Sequence, residues 1–279
     1  MRIDSWIDQN IFQEDPAFRG SASPRIIHGK DGFLFLSDDF DMANQSIGIV
    51  PDVIRNIRNL TSAIIKSGRE MIFTVAPNKT TIYEKLLPDD QGNLDILMNY
   101  SSSLRSALQK SNITGYIDLM PSLIDAEENS RDSMYLRKDS HWNNVGSAAA
   151  TKVVVNTLQP GLWDESALRY RGISRYTGDL TYLEDNPRED ENPIYRVHRP
   201  EIVAGLPEVW DNNDPTHMYR RFSNDGPPGS LIEGKTLFIV DSSGVEALGA
   251  IVPYFAEITF IHIDSLPDKQ LVVAMNDAD

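Results

Sequence analysis

The sequence contains no cysteine, which excludes disulfides, thiolate metal sites and a cysteine nucleophile. Positive charge is scarce as well: 26 Lys and Arg face 41 Asp and Glu, for a formal charge of −15 over 279 residues. Such a balance favours solubility and opposes general attraction to nucleic acid or anionic membranes. Nowhere is there an apolar run of the roughly 18 residues that a bilayer-spanning helix needs. The opening Met1-Arg2-Ile3-Asp4-Ser5-Trp6 lacks the apolar core of a signal peptide, so the chain as written reads as soluble, without leader or transmembrane segment. Histidines are few, and His28, His198, His217 and His262 fall at no ligand spacing. No metal site, nucleotide-binding signature or phosphopantetheine-binding signature is expected, and no internal repeat is present.

What is present is globular. Hydrophobic residues make up 41% and charged residues 24%, proportions that argue against wholesale disorder. Residues 1–25 mix Trp6, Ile7 and Phe12 with acids and end in Ser21-Ala22-Ser23-Pro24, the pattern of an N-terminal helix and connector. The rest, 26–279, suits a single α/β domain. Two short apolar runs around Asp31-Gly32 predict a hairpin over Ile26 to Leu36. Val50, Val53, Ile54, Ile57, Leu60, Ile64 and Ile65 keep helical spacing up to Lys66, with Gly68 just beyond. Met71 to Ala76 reads as a buried strand stopped by Pro77, Leu94 to Leu108 as a helix, and Gly115 to Leu119 as a second strand. Alternation of this kind predicts a mostly parallel sheet covered by helices. A charged surface loop is expected over Asp125 to Lys138, then a helix running to Leu158 and capped by Asn143 or Asn144. Residues 160–232, rich in proline and polar clusters, read as an irregular insertion or small subdomain.

Two stretches carry chemistry. The first is Leu237-Phe238-Ile239-Val240-Asp241-Ser242-Ser243-Gly244, a buried strand that breaks into a turn and a helix start. A serine there projects from the sheet edge beside the N–H groups of the first helical turn, where an oxyanion is stabilised. The same residues also fit a simple helix cap. The second is Lys138-Asp139-Ser140-His141-Trp142, a loop at a helix entrance. An alcohol needs a base to become nucleophilic, and the base needs an orienting carboxylate. Asp139 and His141 supply the types that Ser242 lacks.

Asp139-Ser140-His141-Trp142-Asn143 with a downstream Asp241-Ser242 resembles the SGNH-hydrolase-like domain of alginate O-acetylation proteins. Gly32-Phe33-Leu34-Phe35-Leu36, Ala76-Pro77-Asn78-Lys79 with Ile82-Tyr83, and Gly178-Asp179-Leu180 are similar to further short segments of that family. The resemblance spans residues 26 to 263. It implies a three-layer α/β/α SGNH fold with the catalytic motifs in circularly permuted order, since Asp-x-His precedes the serine here. It also implies a polysaccharide O-acetyltransferase with Ser242 as nucleophile, His141 as base and acid, and Asp139 orienting His141. Acetyl would arrive from a membrane-bound O-acyltransferase partner, in an extracytoplasmic setting. The family's Gly-Asp-Ser is Val240-Asp241-Ser242 in this chain, and Ser243 offers a competing hydroxyl. Ser243 and Asn78 are candidate oxyanion donors, and Lys79, Lys138 and Trp142 candidates to line a glycan groove. An acetylesterase with the same residues and an inactive carbohydrate-binding module are the alternatives.

Overall fold

The computed structural model describes residues 26–40, 47–89, 94–205, 208–209, 219–263 and 269–279. The N-terminal helix and connector expected over 1–25 lie outside them. The described residues divide into two compact units, one drawn from 26–129, 135–141 and 174–192 and the other from 130–134, 142–173 and 193–279.

The first unit opens with the expected hairpin. β1 (Ile26–His28) pairs antiparallel with β2 (Leu34–Leu36) in the register Ile27↔Phe35, and the turn holds Asp31 at φ 54° and Gly32 at φ 77°. The helix Val50–Lys66 has the bounds its apolar periodicity predicts. It packs on the helix Leu94–Lys110 through Val50, Ile54, Leu108 and Ile113, with Phe73, Leu104 and Tyr116 closing this small core. The strand expected over Met71 to Ala76 is shorter than its apolar run. β3 is Phe73–Thr74 alone, paired in parallel with β4 (Tyr116–Ile117). Val75 already stands 42% exposed, and Pro77 has no N–H with which to continue a ladder. The loop expected over Asp125 to Lys138 is in part helix, since Met120–Asn129 continues through its Ala and Glu residues.

The described residues of the region 160–232 are far more regular than its prolines suggest. They hold β5 (Leu168–Thr177), β6 (Glu189–Val197), β7 (Val203–Ala204), β8 (Glu208–Val209) and β9 (Tyr219–Asp225). β5 and β6 pair with each other. Arg169, Arg171, Ile173 and Arg175 alternate with Tyr170, Gly172, Ser174 and Tyr176, a period of two in which one row is nearly all charge.

The second unit is built on a five-stranded sheet. Its parallel pair is β10 (Ile232–Val240) with β11 (Phe255–His262), in the register Phe238↔Phe260 and Val240↔His262. β9 runs antiparallel to β11, and β7 and β8 each run antiparallel to β9. Of the four pairings described in this sheet, one is parallel and three are antiparallel. The link 226–231 between β9 and β10 is too short for a crossover helix, so the chain turns back instead of returning in parallel. Ile261, Leu271 and Ala274 pack the helix Lys269–Asp277 onto this sheet. The helix Asn144–Leu158 is capped by Asn143, whose side chain accepts from the N–H groups of Val145 and Gly146 at 2.8 and 3.2 Å. Among the described residues no helix is long and apolar enough to cross a membrane.

Candidate active site

The first unit brings Asp139 and His141 together. Their loop closes on itself, with the Leu136 N–H donating to the His141 carbonyl at 3.2 Å. Asp139 Oδ1 lies 2.7 Å from His141 Nδ1 and accepts the His141 backbone N–H at 3.0 Å, while Oδ2 accepts the Asp179 N–H at 3.0 Å. Burial works against ionising Asp139, but the hydrogen bonds from the imidazole and the two backbone N–H groups outweigh it and hold the carboxyl below its ordinary range. An ionised acceptor assigns the ring proton to Nδ1. In the neutral ring Nε2 then carries the lone pair.

Asp179 was seen in the sequence only as part of Gly178-Asp179-Leu180. In the structure it is the loop's second support, accepting the Ser140 N–H at 2.8 Å and the Ser140 hydroxyl at 2.5 Å. Its Oδ2 lies 3.6 Å from His141 Nδ1, a longer approach than that of Asp139. Gly178 makes this possible: a Cβ there would lie 1.9 Å from the Lys138 carbonyl oxygen. Asp139, His141 and Asp179 place one potential ligand atom each within 4.8 Å of the others. The two carboxylates and His141 Nδ1 are engaged in hydrogen bonds with one another or with backbone N–H groups. The signal for Asp179 was a glycine required for close backbone approach, and sequence alone does not reveal which backbone it approaches.

Lys79, read as lining an open groove, is 3% exposed. Its ammonium donates to the carbonyls of Leu34, Arg137 and Asp139 at 2.7, 2.8 and 2.9 Å and lies 5.1 and 5.3 Å from the ring centres of Phe33 and Phe35. Burial pushes its pKa down to about 7, against the pull of the carboxylates of Asp139, Asp179, Asp190 and Asp39. Asn78 is exposed, and one of its amide protons goes to Asp39 Oδ1 at 2.8 Å. The Lys138 ammonium donates to the Glu189 carbonyl at 2.8 Å.

The second unit holds the strand-to-helix turn. β10 ends at Val240, and Asp241 caps the short helix Ser242–Glu246, its Oδ1 accepting the Gly244 N–H at 3.0 Å. Asp241 takes the capping role, so the hydroxyl of exposed Ser242, the first helical residue, is not needed for it. Ser243 contributes its carbonyl, which accepts the indole N–H of Trp142 at 2.9 Å. Trp142 is 4% exposed, a buried anchor in place of a groove wall.

A probable alginate O-acetylase AlgJ of Pseudomonas aeruginosa is 25% identical over 193 residues, 66% of this chain and 46% of that protein. The chain spans less than half the length of the curated relatives it matches. The O-acetyltransferase domain of Pseudomonas putida AlgJ superposes with a TM-score of 0.57 at 16% identity, covering 86% of this chain and 78% of that one. Bacillus cereus PatB1 gives 0.57 at 15% identity, covering 91% and 93%. These two likenesses show a shared fold. Residues 26–201 match the family described as SGNH hydrolase-like domain, acetyltransferase AlgX, and because this is more than half of the sequence, the chain belongs to that family.

Proposed function

We propose that the protein is a polysaccharide O-acetyltransferase that works through an acetyl-serine intermediate, with residues 26–279 acting as one catalytic domain in permuted motif order. The observation that carries this reading is the 2.7 Å contact between Asp139 and His141 Nδ1, which presents an oriented base in a chain of an acetyltransferase family. The capped turn after β10 supports Ser242 as nucleophile, because Asp241 leaves its hydroxyl outside the cap.

In this mechanism His141 Nε2 takes the Ser242 hydroxyl proton as Oγ attacks the acetyl carbonyl, and Asp139 stabilises the imidazolium. A backbone N–H of Ser242 or Ser243 holds the oxyanion. When the tetrahedral intermediate collapses, the donor leaves with the proton and acetyl-serine remains. A sugar hydroxyl then gives its proton to His141 and attacks the ester, which returns Ser242 with its hydrogen. The acetyl donor is a membrane-bound O-acyltransferase partner, and the setting is extracytoplasmic. Water in place of the sugar would make the same machinery an acetylesterase.

The test is to incubate the protein with a chromogenic acetyl ester, with and without oligosaccharide acceptors, and to analyse the sugars by mass spectrometry. Acetylated sugar is the expected product. Free acetate alone would identify an esterase. Equal behaviour of wild type and Ser242→Ala would remove Ser242 from the chemistry, and a protein that binds sugars but releases nothing would be a binding module.

A further inference from the structure

We propose that Lys79 is a positioning residue for His141, acting through the backbone of the loop that carries it; this rests on His141 serving as the base proposed above. A lysine ammonium has three hydrogens and no acceptor, and a buried one with unfilled donors is costly. Here all three find carbonyls within one unit: Leu34 on β2, and Arg137 and Asp139 on the loop. The Arg137 carbonyl also accepts the Leu34 N–H at 2.8 Å, so the loop is tied to the hairpin by both backbone and side chain. The third contact falls on Asp139 itself. One end of that residue is pinned through its carbonyl while its carboxylate faces His141.

The three hydrogen bonds of the Lys79 ammonium go to backbone carbonyls, of which that of Asp139 belongs to a residue assigned to the chemistry. Burial lowers the Lys79 pKa to about 7 against the pull of the carboxylates of Asp139, Asp179, Asp190 and Asp39, and its ammonium lies over the rings of Phe33 and Phe35. Removing the ammonium leaves three carbonyls without this donor and frees the loop from β2. Asp139 and His141 then keep their chemical identity and lose their fixed geometry. Displacements of about 1 Å in such groups cost on the order of a hundredfold in rate.

The experiment compares wild type with Lys79→Met, which keeps the length and apolar stem, and Lys79→Gln, which keeps two donors. His141→Gln assigns the imidazole resonance, and Ser242→Ala is the chemical control. The readout is the low-field His141 Nδ1–H proton signal by NMR, followed by kcat and KM for acetyl release. We expect a folded Lys79→Met to lose the signal to solvent exchange and to drop about a hundredfold in kcat with KM little changed, with Lys79→Gln in between. Ser242→Ala should retain the signal while losing activity. A Lys79→Met protein that retains both signal and kcat would overturn the proposal. Retention of activity by Ser242→Ala would instead strike at the nucleophile, leaving the NMR comparison valid. Should neither Lys79 variant fold, the wild-type Lys79 ammonium decides: its protons are expected in slow exchange with water, and rapid exchange would overturn the proposal.

Discussion

At the scale of single residues, buried charge in the first unit gives titrations with opposite signs. Burial pushes the Asp39 carboxyl up to about 6 from an ordinary 3.8, against the hydrogen bond that it accepts from the Thr80 hydroxyl. Between those two values the native chain holds a proton that the unfolded chain has released. The stability this adds is fully present below 3.8 and is lost as pH rises through about 6. Asp39→Asn is therefore expected to flatten the fall in stability over that window, as read from urea midpoints between about pH 3 and about pH 8; parallel curves for the two proteins would refute the assignment. Asp139 has the opposite sign. Its carboxyl is held below the ordinary range, so its contribution is present above that range and is lost as pH falls through the lowered value. Asp139→Asn leaves the ring proton free to settle on the wrong nitrogen. Its kcat for acetyl release is expected to fall on the order of a thousandfold or more, with folding retained.

At the scale of elements, the turn after β10 depends on Gly244. A Cβ there would lie 2.4 Å from the Val240 Cβ, inside the end of the strand, and Gly244 also supplies the N–H that Asp241 caps. Gly244→Ala is expected to cost about 1–3 kcal/mol by overpacking and to lower kcat by shifting Ser242. Gly249, in the helix Leu248–Ile251, has nothing within 4 Å of an added Cβ, so Gly249→Ala should instead gain roughly 0.4–1 kcal/mol. Urea unfolding of both variants checks the contrast, and equal shifts would mean that the turn is not tightly packed. Elements of this kind were legible where local pattern decides them. The hairpin around Asp31-Gly32, the helices Val50–Lys66 and Leu94–Lys110, and a cap at Asn143 all follow from spacing and turn chemistry. β5 was not legible, because Arg169, Arg171 and Arg175 give its alternation a charged row where an apolar one is the usual signal. Lys79 was read as a surface residue for a related reason: the carbonyls that justify its burial come from positions 34, 137 and 139, and no local pattern announces them. Asp139 and His141 lie two residues apart, so their meeting was the easiest part of the site to foresee.

At the scale of the whole molecule, net charge sets a condition on the proposed saccharide acceptor. The chain carries −15 in total, while the exposed row Arg169, Arg171 and Arg175 on β5 concentrates positive charge locally. Which of the two governs depends on the distance over which charges are felt. At about 0.01 M salt the Debye length is roughly 30 Å and an approaching polymer senses the net charge; at about 0.15 M it is roughly 8 Å and only nearby side chains count. An anionic oligosaccharide should therefore be repelled at low salt and accepted better as salt rises to the physiological value, because screening removes the distant acidic surface first. A neutral oligosaccharide of the same length has no such term. The expected outcome is a KM for the anionic acceptor that falls across this salt range, beside an unchanged KM for the neutral one, both measured by mass spectrometry of acetylated sugar. A KM for the anionic acceptor that rises with salt would mean that local arginines such as those of β5 dominate even at long range. Replacing Arg169, Arg171 and Arg175 by Gln would then abolish the salt dependence if they were the cause.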